Sequence, residues 1–346
     1  MGSEIMIQTG IIGYGMAGRL FHGYLISQVE GLNLKAVATR DEGRRRMAMQ
    51  ERSVDTYKTL RDLLSDKELR LIIIATPHHT HASLAIEAMQ AGRHVVVDKV
   101  MCMSGAEAEE MIRVSQEQGV MLSVFQNRRW DWGFLTIKKA LGDGLLGSPF
   151  FIERAVHRFR QSVGWRASRI ESGGLLYDWG SHLVDQGLQL ISANPLAVLC
   201  RSNQWSGDIE DHVSCSLFFK NKVEYRIEIS NLSSISKPHW FILGTEGSLV
   251  KTGLDPQEEY IKNGQIEAAV ERVEDHVRLV RAKDRKLNEI ILEPVKGSWM
   301  DYYHNISSVL NFGSELKVKP QEMLNLMKVM DAASKSEKSG QIEPIY

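Results

Sequence analysis

Residues Ile11-Ile12-Gly13-Tyr14-Gly15-Met16-Ala17-Gly18 set an apolar β-branched run directly against a G-x-G-x-x-G spacing. Few folds accommodate that junction. Gly13 permits a tight turn, Gly15 lets a pyrophosphate approach the backbone, and Gly18 lets the following helix pack close on the sheet. Free N–H groups and the dipole at the helix N-terminus then favour an anion. A lone glycine pattern is weak, so its context decides. Short apolar runs follow at Leu34–Ala38, Leu71–Ala75, His94–Val97 and Val120–Phe125, after a first at Gln8–Ile12. Helical stretches lie between them at Ala17–Gln28, Glu42–Glu51, Thr80–Ala91 and Ser104–Gln118. Thr80 reads as an N-cap with Gly92 closing that helix, and Ser104 with Glu107 has capping-box spacing. Strands apolar throughout and separated by helices imply a parallel sheet covered on both faces, a doubly wound Rossmann-type α/β domain.

The rhythm changes near residue 125. Strand-like segments crowd together at Phe150–Phe159, Val198–Trp205, His212–Phe219, Val223–Ile229, Trp240–Leu243 and Ser248–Lys251, with a helical pattern at Asp178–Ile191. Residues 255–297 are charge-rich and poorly periodic and read as loop and short helix. Helices are expected around Trp299–Asn311 and Gln321–Ser336. A chain of 346 residues exceeds one small core. Two domains are therefore expected, 1–124 for a dinucleotide and 125–346 as an α+β domain with a large, mostly antiparallel open sheet. Such a sheet is expected to expose an apolar face covered by a second copy, in a homodimer or homotetramer.

A net charge of −1 gives no global attraction to nucleic acid or an anionic membrane. No apolar run reaches bilayer-spanning length, and the N-terminus is too short to be a signal peptide before the first strand. Three cysteines, Cys102, Cys200 and Cys215, show no metal-type spacing and suit a reducing compartment. A cytoplasmic protein is expected.

The end of the second strand selects the dinucleotide. NAD enzymes usually place an acid there for the ribose 2′-hydroxyl. Here the strand ends Ala38-Thr39-Arg40, with Asp41 displaced and Arg44, Arg45 and Arg46 following. Thr39 can hydrogen-bond a 2′-phosphate and Arg40 can pair with it, whereas the 44–46 run reads as a solvated helix face. NADP(H) is favoured over NAD(H).

Three further stretches carry chemistry: Ala75-Thr76-Pro77-His78-His79-Thr80-His81, then His94 to Asp98-Lys99, then Gly173-Gly174 leading to Asp178 and His182. At i and i+4 on a helix, Asp178 and His182 share a face. His78, His79 and His81 raise the question of a metal, but a strand-to-helix turn does not converge such rings and no acid or cysteine lies nearby, so none is expected.

Taken with the glycine loop, these stretches resemble the glucose–fructose oxidoreductase/inositol dehydrogenase family, Gfo/Idh/MocA. The likeness runs over nearly the whole chain. Ser123–Asp131, Gly164-Trp165-Arg166 and Tyr302-Tyr303 are most similar to its NADP-dependent scyllo-inositol dehydrogenase branch. The resemblance implies hydride transfer between nicotinamide and a secondary alcohol or ketone of an inositol or sugar-like polyol. It places Lys99, Asp178 and His182 on catalytic positions. It also puts Ala75, Thr76, Pro77, His78, His81, Asp98, Trp165 and Arg166 against the cofactor, and Asn127, His157 and Tyr303 in the substrate pocket. Chemically, His182 suits proton transfer near neutral pH, and Lys99 suits charge stabilisation on the reacting oxygen. One departure stands out: Val100 occupies the place where the family has proline after the lysine, which is expected to leave Lys99 less rigidly placed or to aim it for a different substrate. Two other readings of the same residues are a sugar-modifying enzyme with a retained NAD(H) and a non-catalytic dinucleotide sensor.

Overall fold

Six strands form a wholly parallel sheet: β1 (Ile7–Ile12), β2 (Leu32–Ala38), β3 (Asp55–Tyr57), β4 (Leu71–Ile74), β5 (His94–Val97) and β6 (Leu122–Val124). Their order is β3-β2-β1-β4-β5-β6, so the winding reverses beside β1. The computed structural model describes residues 5–283 and 286–346. The chain divides into two units. The first runs to Asn127 and takes in Glu258–Ala268 and Ser298–Asn325 as well; the second comprises Arg128–Gln257, Ala269–Gly297 and Leu326–Tyr346.

In the first unit, β4 is buried along its whole length and β5 over Val95–Val97, as expected of strands covered on both faces. Register aligns the strand ends. Ile12 lies opposite both Ala38 and Ile74, and Ile74 lies opposite Val97. Gly13, Thr39, Ala75 and Asp98 therefore leave the sheet side by side at its carboxyl edge, where doubly wound sheets bind ligands.

Local signals work as the sequence suggests at Ser104, whose hydroxyl accepts the Glu107 N–H. The Glu107 carboxylate turns instead to the Met103 N–H, a variant of the capping box. Two expectations change. Thr80 does not cap a helix: its hydroxyl bonds the Pro77 carbonyl within a 3₁₀ turn, and the helix proper is His81–Gln90. The helix expected at 17–28 opens with a π-helical turn, Ala17–His22, before an α-helical segment, Gly23–Ser27.

The second unit holds a nine-stranded sheet. It comprises β7 (Pro149–His157), β8 (Pro195–Asn203), β9 (His212–Phe219), β10 (Glu224–Ser230), β11 (Trp240–Gly244), β12 (Gly247–Lys251), β13 (Val277–Lys283), β14 (Lys286–Leu292) and β15 (Glu343–Pro344). The order is β14-β13-β12-β11-β7-β10-β9-β8-β15, antiparallel except for the central β7–β10 pair. The β13–β14 hairpin corrects the reading of 255–297 as loop and short helix. β14 is exposed along almost its whole length and so carries no alternation to read.

One face of this sheet is apolar. Tyr225, Ile227 and Ile229 of β10 are buried on it, and the Tyr225 hydroxyl donates to the Leu183 carbonyl of the helix Ser181–Leu190. The opposite face is mixed, with half-buried Phe151, Leu199, Phe218 and Phe241 set among polar residues. It carries a polar lattice in which Ser216 donates to Glu224, Arg226 pairs with Glu224, and Lys237 bridges Glu153 and Glu228. Cys200 and Cys215, which carry no pairing signal in the sequence, sit directly opposite across β8 and β9 and form a disulfide. Among the described residues no helix is long and apolar enough to cross a membrane.

Candidate active site

The glycine loop is shaped by what its glycines leave out. Gly13 has φ +95°, and a Cβ there would be driven into the Ala75 carbonyl. A Cβ on Gly18 would strike the Gly13 carbonyl. At Gly15 the space is open, its nearest neighbour being an Arg44 guanidinium nitrogen 3.8 Å from where a Cβ would stand. That opening ahead of a helix fits the pyrophosphate of a dinucleotide. Tyr14 is buried, so its backbone and not its ring faces the loop, while Met16 is half exposed and Ala17 begins the helical turn.

At the end of β2, Thr39 is nearly buried and its hydroxyl accepts the Asp41 N–H, while Arg40 is exposed. Asp41 accepts the Arg44 N–H at 2.9 Å as N-cap of the helix Glu42–Arg52, and its carboxylate lies 3.7 Å from the Arg44 Nε. That backbone bond, with Arg44's charge, holds Asp41 below the usual carboxylate value. Arg45 donates to the Thr39 and Arg40 carbonyls. The arginine run is therefore more than a solvated face. Arg45 ties helix to strand, and Arg44 stands over the glycine loop.

The loop after β4 is held by His81. Its ring nitrogens lie 2.7 Å from the Val100 carbonyl and 2.9 Å from the Thr76 carbonyl, tying the loops after β4 and β5 together. Burial pushes the His81 pKa down against the pull of those carbonyls. His78 and His81 are buried, at 1% and 0% exposure, so what reaches outward from this loop is its backbone, half-buried Thr76 and Pro77, and exposed His79.

Lys99 follows β5. Its N–H donates to the Asp98 carboxylate at 2.8 Å, and the Lys99–Val100 peptide is cis. Val100 is fully buried and its carbonyl faces His81, so the backbone is held on both sides of the lysine. Asp98 lies 3.7 Å from His22, whose other ring nitrogen meets the Tyr303 hydroxyl at 2.6 Å. Tyr303 is fully buried. His22 was not singled out in the sequence. A lone histidine in an apolar helical stretch reads as core, and its partners are distant in the chain.

In the second unit the segment 164–182 gathers the expected residues. Trp165 and Arg166 lie in the 3₁₀ turn Gly164–Ala167, the Arg166 guanidinium stacking 4.3 Å over the Trp165 ring. Arg166 Nε is 3.5 Å from Asp178. Asp178 belongs to a π-helical turn, Leu176–Gly180, and His182, 5% exposed, to the α-helix that continues it. Between them Trp179 is flanked by Arg128 at 4.8 Å and Arg158 at 4.2 Å, and it packs edge-on against His182. Arg129 is occupied by a bidentate pair with Asp185.

His157 does not join this group. It pairs with Ser230 across β7 and β10, and its ring bonds Glu228 at 2.9 Å on the polar face. Successive strand residues alternate faces, so it points away from the helix that bears His182. Asn127, nearly buried, opens the 3₁₀ turn Asn127–Trp130 at the end of the first unit's leading segment.

Comparison with known proteins matches this architecture. Residues 7–126 match the description "Oxidoreductase family, NAD-binding Rossmann fold", and residues 134–250 match the GFO/IDH/MocA C-terminal domain. The chain is 31% identical to the scyllo-inositol 2-dehydrogenase (NADP(+)) IolW of Bacillus subtilis, over 96% of this chain and 94% of that protein. It is 32% identical to the oxidoreductase YdgJ of Escherichia coli, over 96% of each. The solved structure of the oxidoreductase yvaA from Bacillus subtilis superposes with a TM-score of 0.93 at 28% identity, over the full length of both chains. The glycine loop at the switch point and the sheet of the second unit thus belong to a known pairing, and the chain is an NAD(P)-binding oxidoreductase of the Gfo/Idh/MocA family.

Proposed function

We propose that the protein is an NADP(H)-dependent dehydrogenase or reductase acting on a secondary alcohol or ketone of an inositol or sugar-like polyol. The observation that carries the cofactor choice is at the end of β2. Asp41, the acid nearest the ribose position, is engaged as a helix cap and by Arg44, while Arg44 also stands over Gly15. That corner offers a hydroxyl and positive charge where an NAD enzyme offers a free carboxylate. The substrate class rests on the similarity to a scyllo-inositol 2-dehydrogenase along nearly the whole chain.

The nicotinamide, when bound, supplies the hydride acceptor or donor. His182 takes the hydroxyl proton in the oxidative direction and returns it in reduction. Lys99 donates to the same oxygen and stabilises the charge that builds on it. Asp178, paired with Arg166, orients the surrounding donors. The backbone from Gly13 to Gly18 holds the phosphates, with Thr39, Arg40 and Arg44 around the 2′-phosphate.

The test is a titration of NADPH and NADH, with an absorbance screen over inositols, hexoses and their keto forms. At least about tenfold preference for NADPH is expected, since a charge-assisted contact contributes about 1.5–3 kcal/mol. Arg44→Ala should remove most of that preference. Equal affinities in the wild type, or turnover confined to substrates without a carbinol or keto carbon, sink the assignment.

A further inference from the structure

The Lys99 anchor extends three residues deep into the first unit, and each link can be assigned a direction. His22 is fully buried, and its Nε2 has no hydrogen-bond partner although it faces the Asp98 carboxylate at 3.7 Å. That spacing is an electrostatic contact and too long for a hydrogen bond. A carboxylate attracts a ring nitrogen that carries a proton, so in the tautomer that serves this contact the proton sits on Nε2 and Nδ1 is left as an acceptor. Tyr303 must then donate its O–H to Nδ1 at 2.6 Å. Burial supports that direction by holding the Tyr303 phenol well above its ordinary pKa. The ring plane is fixed as well. His22 packs on Phe125 at 4.6 Å, Phe125 packs on Tyr302 and Tyr303, and Tyr302 donates to Ser123, which donates to the Val318 carbonyl.

Asp98 is the receiving end. Burial alone would raise its pKa, yet the carboxyl sits well below the usual range because His22, Lys99 and His81 favour the anion. The same carboxylate accepts the Lys99 N–H. A buried polar atom lacking a partner calls for an explanation. Here the unpaired Nε2 is aimed at the Asp98 carboxylate, a group that orients the lysine backbone.

We propose that His22 and Tyr303 are positioning residues for Lys99. Tyr303 sets the His22 tautomer, His22 holds the Asp98 carboxylate, and Asp98 fixes the lysine backbone. His22 lies on the helical turn opened by the glycine loop. The segment expected to hold the phosphates therefore also holds the group expected to meet the reacting oxygen. This inference rests on the catalytic reading of Lys99 given above.

Two measurements separate the two claims. In the protein without cofactor, hydrogen exchange of the peptide spanning 97–100 should quicken by about tenfold or more in His22→Ala, because a charge-assisted N–H bond is loosened. His22→Gln places an amide nitrogen near the Nε2 position and should bring exchange back toward wild type; Tyr303→Phe should give an intermediate rate. In turnover with NADPH and the 2-keto form of scyllo-inositol, His22→Ala should lower kcat by about 10²-fold, with the NADPH Kd unchanged, since small misplacements of a reacting group have that cost. On a Lys99→Ala background the same substitution should have little further effect, because the two act as one unit. Unchanged exchange in the folded His22→Ala and Tyr303→Phe proteins, or full additivity with Lys99→Ala, overturns the proposal. If Lys99→Ala alone leaves kcat intact, the catalytic reading of Lys99 fails, while the exchange data still decide whether His22 holds the backbone at that lysine.

Discussion

Two helices of this protein begin in the same unusual way and end up with different chemistry. Ala17–His22 and Leu176–Gly180 are both π-helical turns that lead into an α-helix, and both follow a glycine-rich approach. Such turns widen the helix and recur at functional sites. At the first, the open space beside Gly15 leaves the helix N-terminus for an outside anion. At the second, the protein supplies its own. Glu210, buried and paired with Arg169, accepts the Leu176 N–H at 3.0 Å, and a Cβ on Gly174 would run into its carboxylate. A helix start becomes a ligand site only where no internal carboxylate already fills it. The first site is thus built from backbone and is damaged by added atoms. The second offers side chains, Asp178 and His182, and is damaged by their removal.

That contrast is open to test at three strengths. The largest effect belongs to the side-chain site: His182→Ala should lower kcat by about 10²–10⁴-fold, as removal of a positioned general base does. NADPH affinity, measured by fluorescence titration, should stay near wild type; a variant that keeps its turnover breaks the assignment. Next comes the backbone site. Gly15→Ala meets nothing closer than Arg44, so its melting temperature should barely move. NADPH binding should nevertheless weaken by about tenfold or more, roughly 1.4 kcal/mol, because the methyl occupies the phosphate approach. Equal loss of stability and affinity would mean the loop is merely a packing turn.

The smallest effect concerns Glu210. Burial raises its pKa, against the pull of the backbone N–H groups and Arg169. The folded state then holds a proton more tightly than the unfolded chain, whose carboxyl titrates near about 4.3. Stability should therefore fall as pH rises from that value through the raised folded one. Glu210→Gln, which keeps an acceptor for Leu176, should flatten that slope in melts taken across the window while leaving NADPH affinity alone. An unaltered slope would show that Glu210 is ionised in both states.

How much of this was legible depends on where each residue's partners lie. β4 and β5 are continuous apolar runs, so their burial could be read residue by residue from Leu71–Ile74 and His94–Val97. The glycine loop was legible for the same local reason, since turn, approach and packing are each met within Gly13–Gly18. β3 was missed because its three residues are exposed or half-buried at a sheet edge. In the β13–β14 hairpin, β14 is almost wholly exposed and shows no alternation, while β13 buries Val277 and Leu279 around Arg278, a short signal masked by the charged residues on either side. At the site, spacing brought Asp178 and His182 forward, but His157 was assigned without knowing which face of β7 it occupies. His22 and Glu210 lay beyond reach for another reason. Their meaning comes from Asp98, Tyr303 and Leu176, and no periodicity of their own segments points to those partners.

The return of Ser298–Asn325 to the first unit bears on how such proteins can be recombined. A chimera cut after Asn127 would look like a clean exchange of nucleotide-binding halves between relatives. It would carry His22, Asp98 and Lys99 from one parent and take Tyr303 from the other. The inherited cassette is therefore not the contiguous leading segment but that segment plus the helix Met300–Phe312, encoded near the far end of the gene. Exchanges that move Ser298–Asn325 with it should tolerate divergent parents, and those that do not should work only where both parents keep a hydroxyl donor opposite the same histidine.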